Sequence, residues 1–250
     1  MINILCSVAL MTLGGAMAEK TAAPLTGREI VDRAIEAAGG ETWRRPKTLQ
    51  LSGSMVMMPG GRADKALTVD DYRMWRVFPA ASDAAHTANG KVRFDAKAAG
   101  KTVFQISFDG NNTYDQNGLV EENSADARWA ANFGFGIIRF TQGLDIHRLA
   151  DDVVEGHEAF FIEVTDAEGE GTIFGIDKDD YAIRYVGFDT ERGWHHRTYS
   201  DFAWHENPRF RQPRRVKLFY DGRKTNDIQW PDFIVNGEVP NNLFVLEGAE

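Results

Sequence analysis

The stretch RGWHHRTYSDFAWHENPRF, from Arg192 to Phe210, gathers side chains that could move a proton or hold an ion. Either member of the pair His195 and His196 could serve as a general base near neutral pH, with Tyr199, Arg197 or Asp201 as the acid or orienting partner. A lyase or isomerase step driven by proton abstraction, with no cofactor, fits such a set. Metal binding fits it poorly. Adjacent residues of a strand point to opposite faces, so His195 and His196 cannot converge on one ion. His195 and His205 share a face but lie too far apart, and no HExxH helix or second cysteine adds ligands. The sequence therefore predicts no metal and no cofactor.

The alternation sorts this segment into two stripes. Trp194, His196, Thr198, Ser200, Phe202 and Trp204 mix large aromatics with small hydroxyls and an imidazole. They read as the wall of a pocket for an amphipathic or aromatic ligand, with His196 the histidine that faces it. His195, Arg197, Tyr199, Asp201 and His205 read as a solvated face. On the default reading, His196 is a wall residue with satisfied hydrogen bonds and no chemistry. Further upstream, Tyr72, Met74, Arg76 and Phe78 share one face of another strand, which makes Met74 and Arg76 candidate ligand contacts. By default Arg76 snorkels at a barrel rim, and the sharper alternative is a buried charge that needs an anionic partner. Trp129, Phe133 and Ile137, four apart on a central helix, could plug a cavity or simply pack the core.

These side chains need elements to hold them. Thr26 and Glu29 form a capping box, Ile30, Val31, Ala34, Ile35 and Ala38 make one apolar face, and Gly39-Gly40 ends the helix. From Lys47 the period falls to two, which predicts strands over 48–58, 67–78, 90–95 and 102–108. After the central helical stretch, a short helix is expected between Gly143 and Leu149. Further strands are then expected over 158–166, 170–176, 181–189, 194–204, 214–221 and 223–230, with a longer loop from Pro208 to Pro213. So many antiparallel strands in one chain favour a strongly curved sheet or partial barrel.

The N-terminus constrains the compartment. Residues 2–18 carry no charge, include the run ILCSVALMTLGG and end in Ala16-Met17-Ala18, the pattern of a secretory leader. The expected organisation is a leader over 1–18 and a single domain over 19–250, exported to the periplasm. Cys6 falls inside the leader, so the domain must be held by its own core without disulfides. A net charge of −9 argues against nucleic acid or anionic lipid as the main partner, and no other apolar run is long enough for a stable membrane span.

The helix ending AAGGETW (Ala37 to Trp43), the central helical insert and the closing meander together resemble the LolA and LolB lipoprotein carriers. The closing segments TYSDF (Thr198 to Phe202), RRVKLFYDGR (Arg214 to Arg223) and VPNNLF (Val239 to Phe244) are similar to the last strands and tail of that group. The resemblance implies an α+β, mainly antiparallel fold: an unclosed, half β-barrel wrapped around helices and enclosing a hydrophobic cavity. It implies a lipid, acyl chain or other hydrophobic small molecule as ligand, with a membrane-protein donor or acceptor as a possible partner. No residue role is carried over from the family. Two functions follow: a periplasmic carrier of a hydrophobic molecule, or a cofactor-independent enzyme acting on a hydrophobic substrate in the same cavity.

Overall fold

The computed structural model describes residues 24–79, 90–121 and 135–248. The expected leader, and Trp129 and Phe133 of the expected central helix, lie outside these residues.

Helix α1 (Gly27–Ala38) forms where the capping box predicts it. The Thr26 hydroxyl accepts from the Glu29 N–H while the Glu29 carboxylate accepts from the Thr26 N–H. Gly39, at φ 131°, stops the helix in a conformation that a side chain disfavours. The short helix α2 (Glu41–Arg44) follows and buries Trp43.

The strands are β1 (Thr48–Met57), β2 (Leu67–Val77), β3 (Lys91–Ala98), β4 (Lys101–Phe108), β5 (Thr113–Asp115), β6 (Gly118–Leu119) and β7 (Asp145–Arg148). Then come β8 (Asp152–Val154), β9 (His157–Thr165), β10 (Gly171–Asp177), β11 (Ile183–Thr190), β12 (Gly193–Glu206), β13 (Arg209–Tyr220) and β14 (Arg223–Val235). They form one antiparallel sheet in the order β6-β5-β4-β3-β2-β1-β14-β13-β12-β11-β10-β9-β7, with β8 paired to β9. Two meanders are therefore joined by the pairing of β1 with β14. Among the described residues β6 and β7 do not pair with each other, so the sheet is unclosed. The apolar face of α1 packs against β7 and β13, and α2 packs against β13.

Three expectations change. The segment after Gly143 is strand β7, not a helix, because Ile146 pairs with Val164 of β9. The Pro208 to Pro213 loop contracts to the turn Asn207-Pro208, and β13 continues through Pro213. A proline inside a strand needs a break in the ladder. The β12–β13 pairing supplies one, skipping Asp201 and Arg214, where Asp201 has φ 53°. Finally, Ile137 lies in a single 3₁₀ turn, Gly136–Arg139, rather than on a longer helix among the described residues.

The junction between the meanders turns on Gly53. The register of β1 shifts there against both neighbours, between Ser52 and Ser54 on the β14 side and between Gly53 and Met55 on the β2 side. A Cβ at Gly53 would stand 1.8 Å from the Gln229 carbonyl oxygen. Gly53→Ala is expected to lower unfolding free energy by about 2 kcal/mol or more, read by urea denaturation. An unchanged midpoint would show that the junction tolerates a wider bulge.

Candidate functional site

The described residues do not fill the concave face of the sheet. A cavity of about 630 Å³ opens against β1–β4 and β12–β14. Its wall follows from period two: Leu49, Leu51, Met55 and Met57 of β1 point into it, as do Tyr72, Met74 and Arg76 of β2. Tyr72 stacks on Trp230 at 4.7 Å between ring centroids and also meets Phe94 and Phe104, fixing an aromatic floor. This is a largely apolar pocket with few polar groups, within the size range that encloses one small ligand.

The polar groups are unusual. Arg76, Arg139 and Arg197 all line the cavity and are all buried, Arg139 to 4% exposure. Arg139 lies flat against Trp43, its guanidinium carbon 3.8 Å from the ring centroid. Its Nε and Nη1 have no hydrogen-bond partner among the described residues. Burial, then the charge of Arg197, pulls the Arg76 guanidinium down to about 10. Burial and the charge of Arg76 pull Arg139 in the same direction. A guanidinium nevertheless stays protonated in a protein, so the strain remains as unmet electrostatic demand. Arg76 and Arg197 lie four strands apart in sheet order yet feel each other's charge, which requires the sheet to fold over the cavity.

On β12 the two stripes exchange the roles expected of them. Arg197 and Tyr199 line the cavity, whereas Trp194, Phe202 and Trp204 do not. The aromatic residues find other cover. The Trp194 indole N–H donates to the Tyr185 hydroxyl, Phe202 lies beneath the guanidinia of Arg184 and Arg211, and Arg209 covers the part-exposed Trp204. Asp201 is exposed and accepts from Arg214. Met74 and Arg76 stand on the cavity wall, while Ile137 is buried in the core.

Neither imidazole lines the cavity. His196 is half-buried and stacked on Phe219 at 4.5 Å, and burial lowers its pKa. His195 is 2% exposed, and its Nε2 already accepts from Arg197 Nε at 2.8 Å. Burial, reinforced by the Arg197 charge, pushes its pKa down to about 2. A ring so held is neutral at working pH and serves to orient Arg197. Arg139 escaped the sequence reading, although an arginine in Gly136-Ile137-Ile138-Arg139-Phe140, with no acid beside it, is a readable sign of a buried charge.

The sequence matches no family model, and no curated protein is significantly similar to it. Solved structures do match the fold. A DUF1329 family protein from Desulfovibrio piger superposes with a TM-score of 0.59 at 9% identity, covering 88% of this chain and 98% of that one. A LolA superfamily protein from Nitrosomonas europaea gives 0.53 at 12% identity, covering 89% and 98%. A domain described as an outer membrane lipoprotein-sorting protein, from Vibrio parahaemolyticus, gives 0.51 at 13%, covering 86% and 94%. The fold is LolA-like.

The buried imidazole has a consequence for stability. Folding holds His195 neutral while the unfolded chain binds a proton near the ordinary histidine value of 6.5, so this stability is complete above that pH and lost as pH falls below it. At pH 5 the loss amounts to about 2 kcal/mol. His195→Gln is expected to flatten the fall in melting temperature between pH 7 and pH 5, leaving a smaller slope from His196. Parallel curves for the two proteins would contradict a neutral, buried His195.

Proposed function

We propose that the protein is an exported carrier that takes up a lipid or other hydrophobic small molecule in the concave cavity and moves it across the periplasm. The observation that carries this reading is the open, mainly apolar space of about 630 Å³ on the inner face of an unclosed sheet. A cavity lined by Met55, Met57, Met58 and Met74 adapts to acyl chains of different shape, because thioether side chains deform at little cost. The fold supports the same reading, since it is shared with a LolA superfamily protein and a lipoprotein-sorting domain. The secretory-type pattern of the N-terminus supports a carrier outside the cytoplasm, and no described helix is long and apolar enough to cross a membrane. A membrane protein as donor or acceptor of the cargo belongs to this proposal.

The enzymatic alternative gains nothing from the geometry. No histidine among the described residues lines the cavity, and the Nε2 lone pair of His195 is occupied by Arg197.

The neutral fluorescent probe N-phenyl-1-naphthylamine tests the carrier reading. The wild-type protein is expected to bind it with a rise in emission. Val216→Trp, which fills the cavity from β13, is expected to weaken binding by about tenfold or more, the scale of a lost apolar contact. Trp204→Ala, away from the cavity, is expected to leave it unchanged. No probe uptake by the folded wild type would remove the proposal.

A further inference from the structure

The cavity carries two buried cations that no carboxylate among the described residues neutralises. Arg76 and Arg139 sit against the same ring, with guanidinium carbons 5.0 and 5.1 Å from the Phe78 centroid. Arg76 comes from β2, whereas Arg139 comes from the 3₁₀ turn after the central segment. Both are buried, at 8% and 4% exposure, and both line the cavity. Among the described residues neither forms an ion pair with a carboxylate, and Nε and Nη1 of Arg139 have no hydrogen-bond partner. Elsewhere this chain handles its cations differently. Arg93 pairs with Asp95, Arg184 with Asp177, Arg215 with Asp227 and Arg148 with Asp151. The aromatic faces of Phe78 and Trp43 attract a cation but do not cancel its charge.

A cavity meant for a purely apolar molecule has no use for such a pair. Buried charges without counter-ions cost several kcal/mol each, and a well-packed Leu or Met would relieve the cost. Guanidinium groups suit one task in this setting, which is bidentate recognition of a carboxylate or phosphate. The other wall of the cavity is hydrocarbon and thioether. Leu49 pairs with Arg76 in register, and Met57 lies eight residues further along β1, roughly 25 Å of strand. A polar anchor at one end and a greasy track running from it define the shape of an amphiphile.

Resting on the carrier reading above, we infer that Arg76 and Arg139 form a head-group site, and that the cargo is a single-chain amphiphile ending in one anionic group, a carboxylate or a phosphate. The anion enters between the two guanidinia, accepts from the free donors of Arg139 and replaces repulsion with two attractions. Arg197, braced by His195 from β12, adds positive potential from the opposite flank of the sheet. The tail follows the methionine-rich wall of β1.

The test uses delipidated full-length protein and displacement of N-phenyl-1-naphthylamine by three C16 compounds: palmitate, hexadecyl phosphate and hexadecanol. At least one of the anions is expected to displace the probe at a concentration about tenfold or more below that needed for hexadecanol, and the tighter anion names the head group. Arg139→Gln is expected to bring that ratio within about twofold, chiefly by raising the concentration of the anion needed. Arg139→Met supplies a second readout. It is expected to raise the melting temperature of the ligand-free protein, because an uncompensated buried charge has been removed, and to abolish the further rise that palmitate gives the wild type. Arg76→Met repeats the measurement if the first variants do not fold. Equal displacement by all three compounds in the wild type would overturn the head-group site and leave the carrier reading standing. A fall in the melting temperature of ligand-free Arg139→Met, with palmitate preference intact, would also overturn it. Failure of the probe to bind at all would instead remove the carrier reading on which the inference rests.

Discussion

An antiparallel sheet with one apolar face must cover that face, and the options are few. It can close into a barrel packed by its own side chains, pack against a second sheet, or curve over something else. This chain takes the third course. Its two meanders meet at β1 and β14, and the bulge at Gly53 allows the junction to bend. The α1–α2 unit packs against β7 and β13, with Ile30, Val31 and Trp43 fully inside the core. The cavity wall, from Leu49 to Trp230, faces about 630 Å³ of open space. The proposed function follows from that area, which the described residues leave uncovered.

The electrostatics follow from the same curvature. A flat sheet would hold Arg76 of β2 and Arg197 of β12 far apart in solvent. Folded over, the sheet brings them to a common interior, and Arg139 joins them above Trp43. His195 belongs to this arrangement as a brace. Its buried neutral ring accepts from Arg197 and holds that guanidinium toward the cavity. Charge of this kind is costly to bury, and groups perturbed in this way cluster at functional sites.

Much of the framework was legible in the sequence because it rests on local signals. The Thr26–Glu29 capping box, the Gly39-Gly40 stop and the period-two runs of β1, β2, β9 and β12 each state their structure within a few residues. The short strands β5 to β8 were not legible, since segments of two to four residues carry too little periodicity of their own and form only when a neighbouring strand offers a free edge. Stripe assignment on β12 failed for a different reason. Both faces of that strand mix aromatic and polar residues, and period two says which residues share a face but not which face turns inward. Trp194, Phe202 and Trp204 look like a pocket wall, yet arginines and a tyrosine hydroxyl cover them. Arg197 and Tyr199 look solvated, yet the curvature of fourteen strands turns them inward. Arg139 was missed because its neighbours in space, Trp43, Phe78 and Phe210, are distant in sequence.

The central claim is that the concave face is completed by a molecule that is not part of the chain. Native mass spectrometry of the protein as first purified from expressing cells addresses it most directly. The account predicts a species heavier than the polypeptide by the mass of one lipophilic molecule, which organic extraction removes and incubation with palmitate restores. A bare polypeptide mass before extraction, with no gain on incubation, would contradict it.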